Sequence, residues 1–151
     1  MMKLAEALMQ RADAQRRLAQ LNQRLQQNAK YQEGEKPAEH PADLLLEYQS
    51  VADQLEKLVV EINQANHQIC LANGMNMVEA LAKRDRLKEE HATLMKLADA
   101  ALPEQDRYSR SEIKMLSAVD IKAIRQQADQ VAKAHRELDV FIQQANWQYD
   151  L

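Results

Sequence analysis

Hydrophobic positions along the chain repeat at alternating spacings of three and four residues, the heptad pattern of packed helices. The longest unbroken series comprises Leu44, Tyr48, Val51, Leu55, Leu58, Ile62, Ala65 and Ile69. A second series near the C-terminus comprises Ile121, Ile124, Ala128, Val131, His135, Leu138, Ile142 and Ala145. Each series predicts a long helix that buries one apolar stripe.

Two further helices have less regular stripes. On the first helix the stripe comprises Leu4, Leu8, Arg11, Gln15, Leu18, Asn22 and Leu25, with Ala7, Ala14 and Leu21 on one flank. On the third it comprises Met77, Leu81, Arg84, Leu87, His91, Leu94, Ala98 and Ala101. We therefore predict four helices, at about 2–29, 43–72, 76–101 and 118–147.

The segments between the helices set the expected topology. Gly74 suits the left-handed conformation that ends a helix, and Asn76 suits the cap of the next one. The turn between them is short, whereas the connectors 30–42 and 102–117 are longer, so an up-down-up-down arrangement places both longer connectors at one end. The prediction is a single all-α domain over residues 1–151, an elongated antiparallel four-helix bundle with coiled-coil-like seams.

Composition and charge exclude several classes of protein. A net charge of -3 argues against nucleic-acid binding, which needs a basic excess. A single cysteine, Cys70, excludes an intramolecular disulfide. Arg11 and Asp13 interrupt the N-terminal segment too early for a signal peptide, and no apolar run is long enough to cross a membrane. We expect a cytoplasmic protein without membrane contacts.

Motifs that specify a reaction are missing from the sequence. None of the four histidines follows a glutamate by three residues, as a carboxylate-bridged di-metal bundle would require. One cysteine cannot build a thiolate zinc site, and two glycines cannot form a glycine-rich phosphate loop. We therefore predict no catalytic residues, no metal site and no cofactor, and expect that the protein is not an enzyme.

Polar residues interrupt the helical stripes at similar predicted heights. They are Arg11, Gln15, Asn66, Arg84 and His135, with Asp85 and Asp139 as neighbouring anions. We interpret them as a buried polar layer, a hydrogen-bond network that fixes the register of the helices. A ligand-binding or catalytic site is the alternative.

The two longer connectors carry complementary charges. Glu33 and Glu35 lie in the first, and the second contains Arg107, Tyr108, Ser109, Arg110, Ser111 and Lys114. The arginines could pair with the glutamates and close this end of the bundle, or the same groups could bind an anion or a partner. Capping-box spacing occurs at Ser109 and again at Ser117, which leaves the conformation of 106–117 open.

Several strings in the chain resemble a known bacterial family. They are "MKLAEAL" with "RAD", "NAKYQEGEKPAEHP", "INQAN", "LANGMNMVEALAKRD", "RYSRSEIK" and the terminal "ANW". In this order they resemble an uncharacterised helical family commonly labelled septicolysin. The resemblance implies a cytolysin, although it assigns no residue to that role.

These observations favour a cytoplasmic interaction or assembly protein. Long helical bundles leave much lateral surface, so we expect a homo-oligomer, with the connector end as the site for an anion or a protein partner. The resemblance favours a membrane-active, cytolysin-like protein instead. An RNA-associated protein or an enzyme that uses the connector arginines is a further alternative.

Overall fold

The computed structural model describes residues 1–103 and 113–151. In these ranges the chain forms four helices: α1 (Leu4–Gln27), α2 (Pro41–Gln68), α3 (Met77–Ala100) and α4 (Ile121–Gln148). The chain divides into two compact units. The first comprises Met1–Ile69 and Gln144–Leu151, and the second comprises Cys70–Gln143.

The first unit contains α1 packed antiparallel against α2. Arg17 of α1 forms an ion pair with Glu47, and Arg24, seven residues later, pairs with Glu39. From Arg17 to Arg24 the chain runs forward, while their partners run back from Glu47 to Glu39. The two helices are therefore antiparallel. Buried apolar side chains from both helices form the core: Leu4, Ala7, Ala14, Leu21, Leu44, Leu58, Ile62 and Ala65.

The buried stripe of α1 differs from the prediction. Ala7, Ala14 and Leu21 are buried, whereas Gln15 and Asn22 are exposed. At these positions the buried residue lies one place earlier than predicted, on the predicted flank, whereas the predicted Leu4 is buried and Leu8, Leu18 and Leu25 are half-buried. This rotation keeps two amide side chains in water, where they need no buried hydrogen-bond partner.

Asn28 closes the first unit where α1 ends. Its side chain is 8% exposed. The amide nitrogen donates to the carbonyl oxygen of Arg24 over 2.8 Å, and the amide oxygen accepts from the backbone N–H of Glu39 over 3.0 Å. One side chain thus satisfies a carbonyl in the last turn of α1 and a backbone donor just before α2, which begins at Pro41. We call this arrangement the Asn28 bridge.

The two chain ends meet in the same unit. The Leu4 N–H donates to the Tyr149 carbonyl, and the Leu151 N–H donates to the Met2 carbonyl, both over 2.9 Å. Between these bonds, Lys3 Nζ lies 2.8 Å from Asp150 Oδ1. The C-terminal residues therefore tie down the start of α1.

The second unit contains α3 and most of α4. It opens with a tight turn in which Gly74 has φ +85° and the Leu71 N–H donates to the Met75 carbonyl over 2.8 Å. The side chain of Asn76 then accepts from the Val78 N–H over 2.8 Å and caps α3. The left-handed Gly74 turn and the Asn76 cap are confirmed. The prediction that Gly74 ends the second helix at about residue 72 is wrong, because α2 ends at Gln68 and Ile69 is already extended.

The start of α4 resolves one of the two predicted capping signals. Asp120 Oδ1 accepts from the Ala123 N–H over 3.1 Å, so the helix begins at Ile121 rather than near residue 118. Ser117 instead forms a local turn, because its hydroxyl donates to the Val119 carbonyl over 2.6 Å. The other signal, at Ser109, lies outside the described residues.

The predicted fold class is confirmed. The described residues contain four helices and no strand, and the helices pack in pairs, as in a four-helix bundle. All eight stripe positions predicted on α2 and its C-terminal end are buried or half-buried. The assignment of residues 1–151 to a single domain stays a prediction.

Replacement of Asn28 by alanine tests the Asn28 bridge. The change leaves the Glu39 N–H without its hydrogen-bond partner, which ordinarily costs about 1–3 kcal/mol, while the Arg24 carbonyl still accepts from the backbone N–H of residue 28. We expect a loss of that size in the free energy of unfolding, measured by urea denaturation followed by circular dichroism.

Asn22→Ala is the matched control on the same helix. Asn22 is exposed and accepts one hydrogen bond, from Gln26 over 3.2 Å. Its loss should change the free energy of unfolding by less than about 0.5 kcal/mol. Equal effects of the two variants would contradict the role assigned to Asn28.

Candidate functional site

The structure describes part of the predicted connector site. Glu33 and Glu35 are exposed on either side of Gly34, whose φ is +85°. Lys114 is exposed as well. The five remaining candidates, Arg107, Tyr108, Ser109, Arg110 and Ser111, lie outside the described residues, so the pairing of connector arginines with Glu33 or Glu35 stays a prediction.

Arg24, which we did not predict, binds a carboxylate at the end of the first connector. It forms a two-nitrogen contact with Glu39, in which Nε lies 3.0 Å from Oε2. The hydrogen bond from Arg24 lowers the pKa of the Glu39 carboxyl below its usual value. The sequence did contain a signal, because Arg17 and Arg24 are seven residues apart on one face of α1.

A short apolar segment stands out in the second connector. Ile113, Met115 and Leu116 are 83%, 90% and 83% exposed. Other large apolar residues with high exposure lie on helices, such as Leu46 beside Leu45 on α2 and Val140 on α4. We call residues 113–116 the apolar segment.

The predicted polar layer is distributed over both units. Arg11, Asn66, Arg84 and His135 are half-buried, and Gln15 is exposed. Arg11, Gln15 and Asn66 belong to the first unit, whereas Arg84 and His135 belong to the second. That the five form one network stays a prediction.

Arg84 does contact one of the anions named with that layer. Its Nη1 donates to Asp139 Oδ1 over 2.8 Å, joining α3 to α4, and Gln143 Nε2 lies 3.4 Å from the same oxygen. Burial works to raise the pKa of the Asp139 carboxyl. The hydrogen bonds from Arg84 and Gln143 and the charges of Arg84 and His135 outweigh it, so the pKa falls below its ordinary value of 3.8.

The ion pair lies in a cleft between α3 and α4, wholly within the second unit. The cleft has a volume of about 470 Å³ and is lined by Arg84, Asp85, Leu87, Lys88, His91, Ala132, His135, Arg136 and Asp139. We call it the α3–α4 cleft. Its volume lies within the range of small-molecule sites.

The described part of the chain contains neither a metal-binding cluster nor a membrane-spanning helix. Over residues 1–103 and 113–151, no group of three or more histidine, cysteine, aspartate or glutamate side chains is placed to hold a metal ion. In the same ranges, no helix has both the length and the apolar character needed to cross a membrane.

Comparison with known proteins gives a family and a solved relative. Residues 11–151 match the model of DUF6847, a family of unknown function. A crystal structure of a functionally unknown conserved protein from Corynebacterium diphtheriae is similar, with a TM-score of 0.91 and 46% sequence identity. The match covers 99% of this chain and 98% of that one. No curated protein matches the chain.

The resemblance to the septicolysin family is therefore wrong. The matching family model and the similar solved structure carry no such description. The cytolysin interpretation rested on that label and is withdrawn with it.

A double-mutant cycle of Arg84→Met and Asp139→Asn tests the ion pair. Since both side chains are partly exposed, we expect a coupling of about 0.5–1 kcal/mol at neutral pH in urea unfolding. The pKa of Asp139 is lowered in the folded state, so this stabilisation is present above pH 3.8 and is lost as the pH falls through the folded-state pKa.

The exposed pair Arg86 and Glu90, four residues apart on α3, is the control. Its coupling should be no more than about 0.5 kcal/mol. No coupling between Arg84 and Asp139 at neutral pH, or equal coupling in acid, would contradict the assigned interaction.

Proposed function

Because the chain belongs to DUF6847, a family of unknown function, we propose a function from its own surface: it is a helical interaction protein that self-associates through its apolar segment. The observation that carries this proposal is the exposure of Ile113, Met115 and Leu116, each at least 83%. Three large apolar side chains within four residues are a costly surface to leave in water.

The energetics favour a contact at this segment. Fully burying one such side chain contributes about 1.5–3 kcal/mol, and here three are available within one short stretch. Side chains alternate in an extended chain, so Ile113 and Met115 would project to one side and Lys114 to the other. The segment can then bury two apolar groups without burying the lysine charge.

A second copy of the chain is the partner that these features favour. Apolar surfaces are self-complementary, as the two-fold contact of a homodimer requires, whereas a patch of like charges is not. The charges of the two connectors also favour a second copy of the chain as the partner. In the described ranges Glu33, Glu35 and Lys114 form no ion pair, so the lysine of one copy can meet a glutamate of another.

We propose further that the protein acts in the cytoplasm and is not an enzyme. Cys70 is a free, exposed thiol, which suits a reducing compartment. The role in assembly follows from surface chemistry and needs no reactive group.

Replacing Ile113, Met115 and Leu116 together by serine tests the proposal. We expect the wild-type chain to form dimers or larger assemblies, and the variant to dissociate at least about tenfold more readily, because buried apolar contacts are lost. Sedimentation velocity over a range of concentrations measures this. The helical circular dichroism should not change, and the unfolding midpoint should not change at a concentration where both chains are monomeric, since the replaced side chains are exposed.

Leu46→Gln with Val60→Gln is the matched control. These residues are 67% and 50% exposed on α2, so the change removes exposed apolar surface outside the apolar segment. We expect the control to assemble like the wild type. A monomeric wild type at every concentration, or equal loss of assembly in both variants, would refute the proposal.

A further inference from the structure

The α3–α4 cleft combines features of a ligand site that the proposed self-association does not use. Three cationic side chains, Arg84, Lys88 and Arg136, line it against two carboxylates, Asp85 and Asp139. Lys88 and Arg136 form no ion pair within residues 1–103 and 113–151. The cleft therefore holds an excess of positive charge with two cations available.

The cations converge from two helices. Lys88 lies on α3 and Arg136 on α4. The Arg84–Asp139 ion pair, 2.8 Å long, joins the same two helices beside them, since Arg84 comes four residues before Lys88 and Asp139 three residues after Arg136. This pair occupies Asp139, so Asp85 is the remaining carboxylate that could neutralise a cation of the cleft. Asp85, like Lys88 and Arg136, is exposed to solvent, and it is the carboxylate of the lining that opposes their charges.

The cleft also has an apolar part and two imidazole donors. Leu87 is 5% exposed and contributes an apolar wall together with Ala132. His91 and His135 are half-buried at the lining. Each imidazole can donate at least one hydrogen bond in either protonation state. Binding pockets for small molecules typically combine apolar walls with a few convergent polar groups.

We propose that the α3–α4 cleft binds a small organic anion, a phosphate or carboxylate group attached to an apolar body. Lys88 and Arg136 bind the anionic group, because guanidinium and ammonium groups form short charge-assisted hydrogen bonds with both kinds of oxyanion. The apolar body lies against Leu87 and Ala132. Arg84 is held by Asp139 and positions the two helices rather than taking the ligand charge.

Titrations followed by amide nuclear magnetic resonance test this site with three probes that each contain one benzene ring. The probes are phenyl phosphate, benzoate and uncharged benzyl alcohol. We expect saturable shifts at the lining residues of α3 and α4 with at least one of the anions and none with the alcohol. The anion that binds more tightly identifies the preferred group.

Removing the two cations and removing Asp85 are expected to change the affinity for the anion in opposite directions. Lys88→Met with Arg136→Met keeps most of the aliphatic stems but removes both charges, and should weaken anion binding roughly tenfold or more. Asp85→Asn removes the remaining opposing charge and should strengthen binding by about twofold or more. A general loss of structure would weaken binding in both variants, so opposite changes in affinity indicate a specific site.

Lys96→Met with Arg125→Met is the matched control. Both residues are exposed on the same two helices and lie outside the cleft lining. The control should keep the affinity within about twofold, since distant exposed charges are screened. No saturable shift with either anion, equal binding of benzyl alcohol, or equal weakening by the control would overturn the proposal.

Discussion

Burial of one apolar stripe on each helix is the interaction on which the structure depends. Isolated helices of this length are only marginally stable in water, so each needs a partner to cover its stripe. In the first unit, α1 contributes alanines at Ala7 and Ala14, which allow close approach, and α2 contributes the larger Leu58 and Ile62. The ion pairs of Arg17 and Arg24 lie beside this core. They favour the antiparallel direction of α1 and α2 more than they add to the free energy of unfolding, because partly exposed ion pairs contribute little to stability.

The sequence was sufficient to predict the buried face of α2, but it predicted that of α1 only in part, for a physical reason. On α2 no polar residue falls on the predicted stripe, so the choice of face was unambiguous. On α1 two faces were nearly equal in apolar content, and the decision depended on the cost of burying Gln15 and Asn22. Helix ends were predicted to within a few residues, since local caps such as Asp120 decide the first turn.

The candidate sites were less predictable because they depend on contacts between distant parts of the chain. Stripe positions indicated that Arg84 and His135 face inward, but not that Arg84 would contact Asp139. Lys88 and Arg136 lie off the stripes and look like ordinary surface charges in the sequence. Their convergence requires the register of α3 against α4, which hydrophobic spacing alone does not determine to one residue. Asn28 was missed because an asparagine after a helix is usually a solvated cap.

The Asn28 bridge has a consequence for engineering the chain. Because one side chain joins Arg24 to the backbone of Glu39, the spacing of α1 and α2 is fixed at the base of the connector, and the intervening residues need not hold it. Most of the residues between the ends of the bridge, including Glu33, Gly34 and Glu35, are exposed. Lengthening a loop costs little free energy once its ends are fixed. This loop is therefore a suitable position for inserting an epitope or a fluorescent reporter without disturbing either helix.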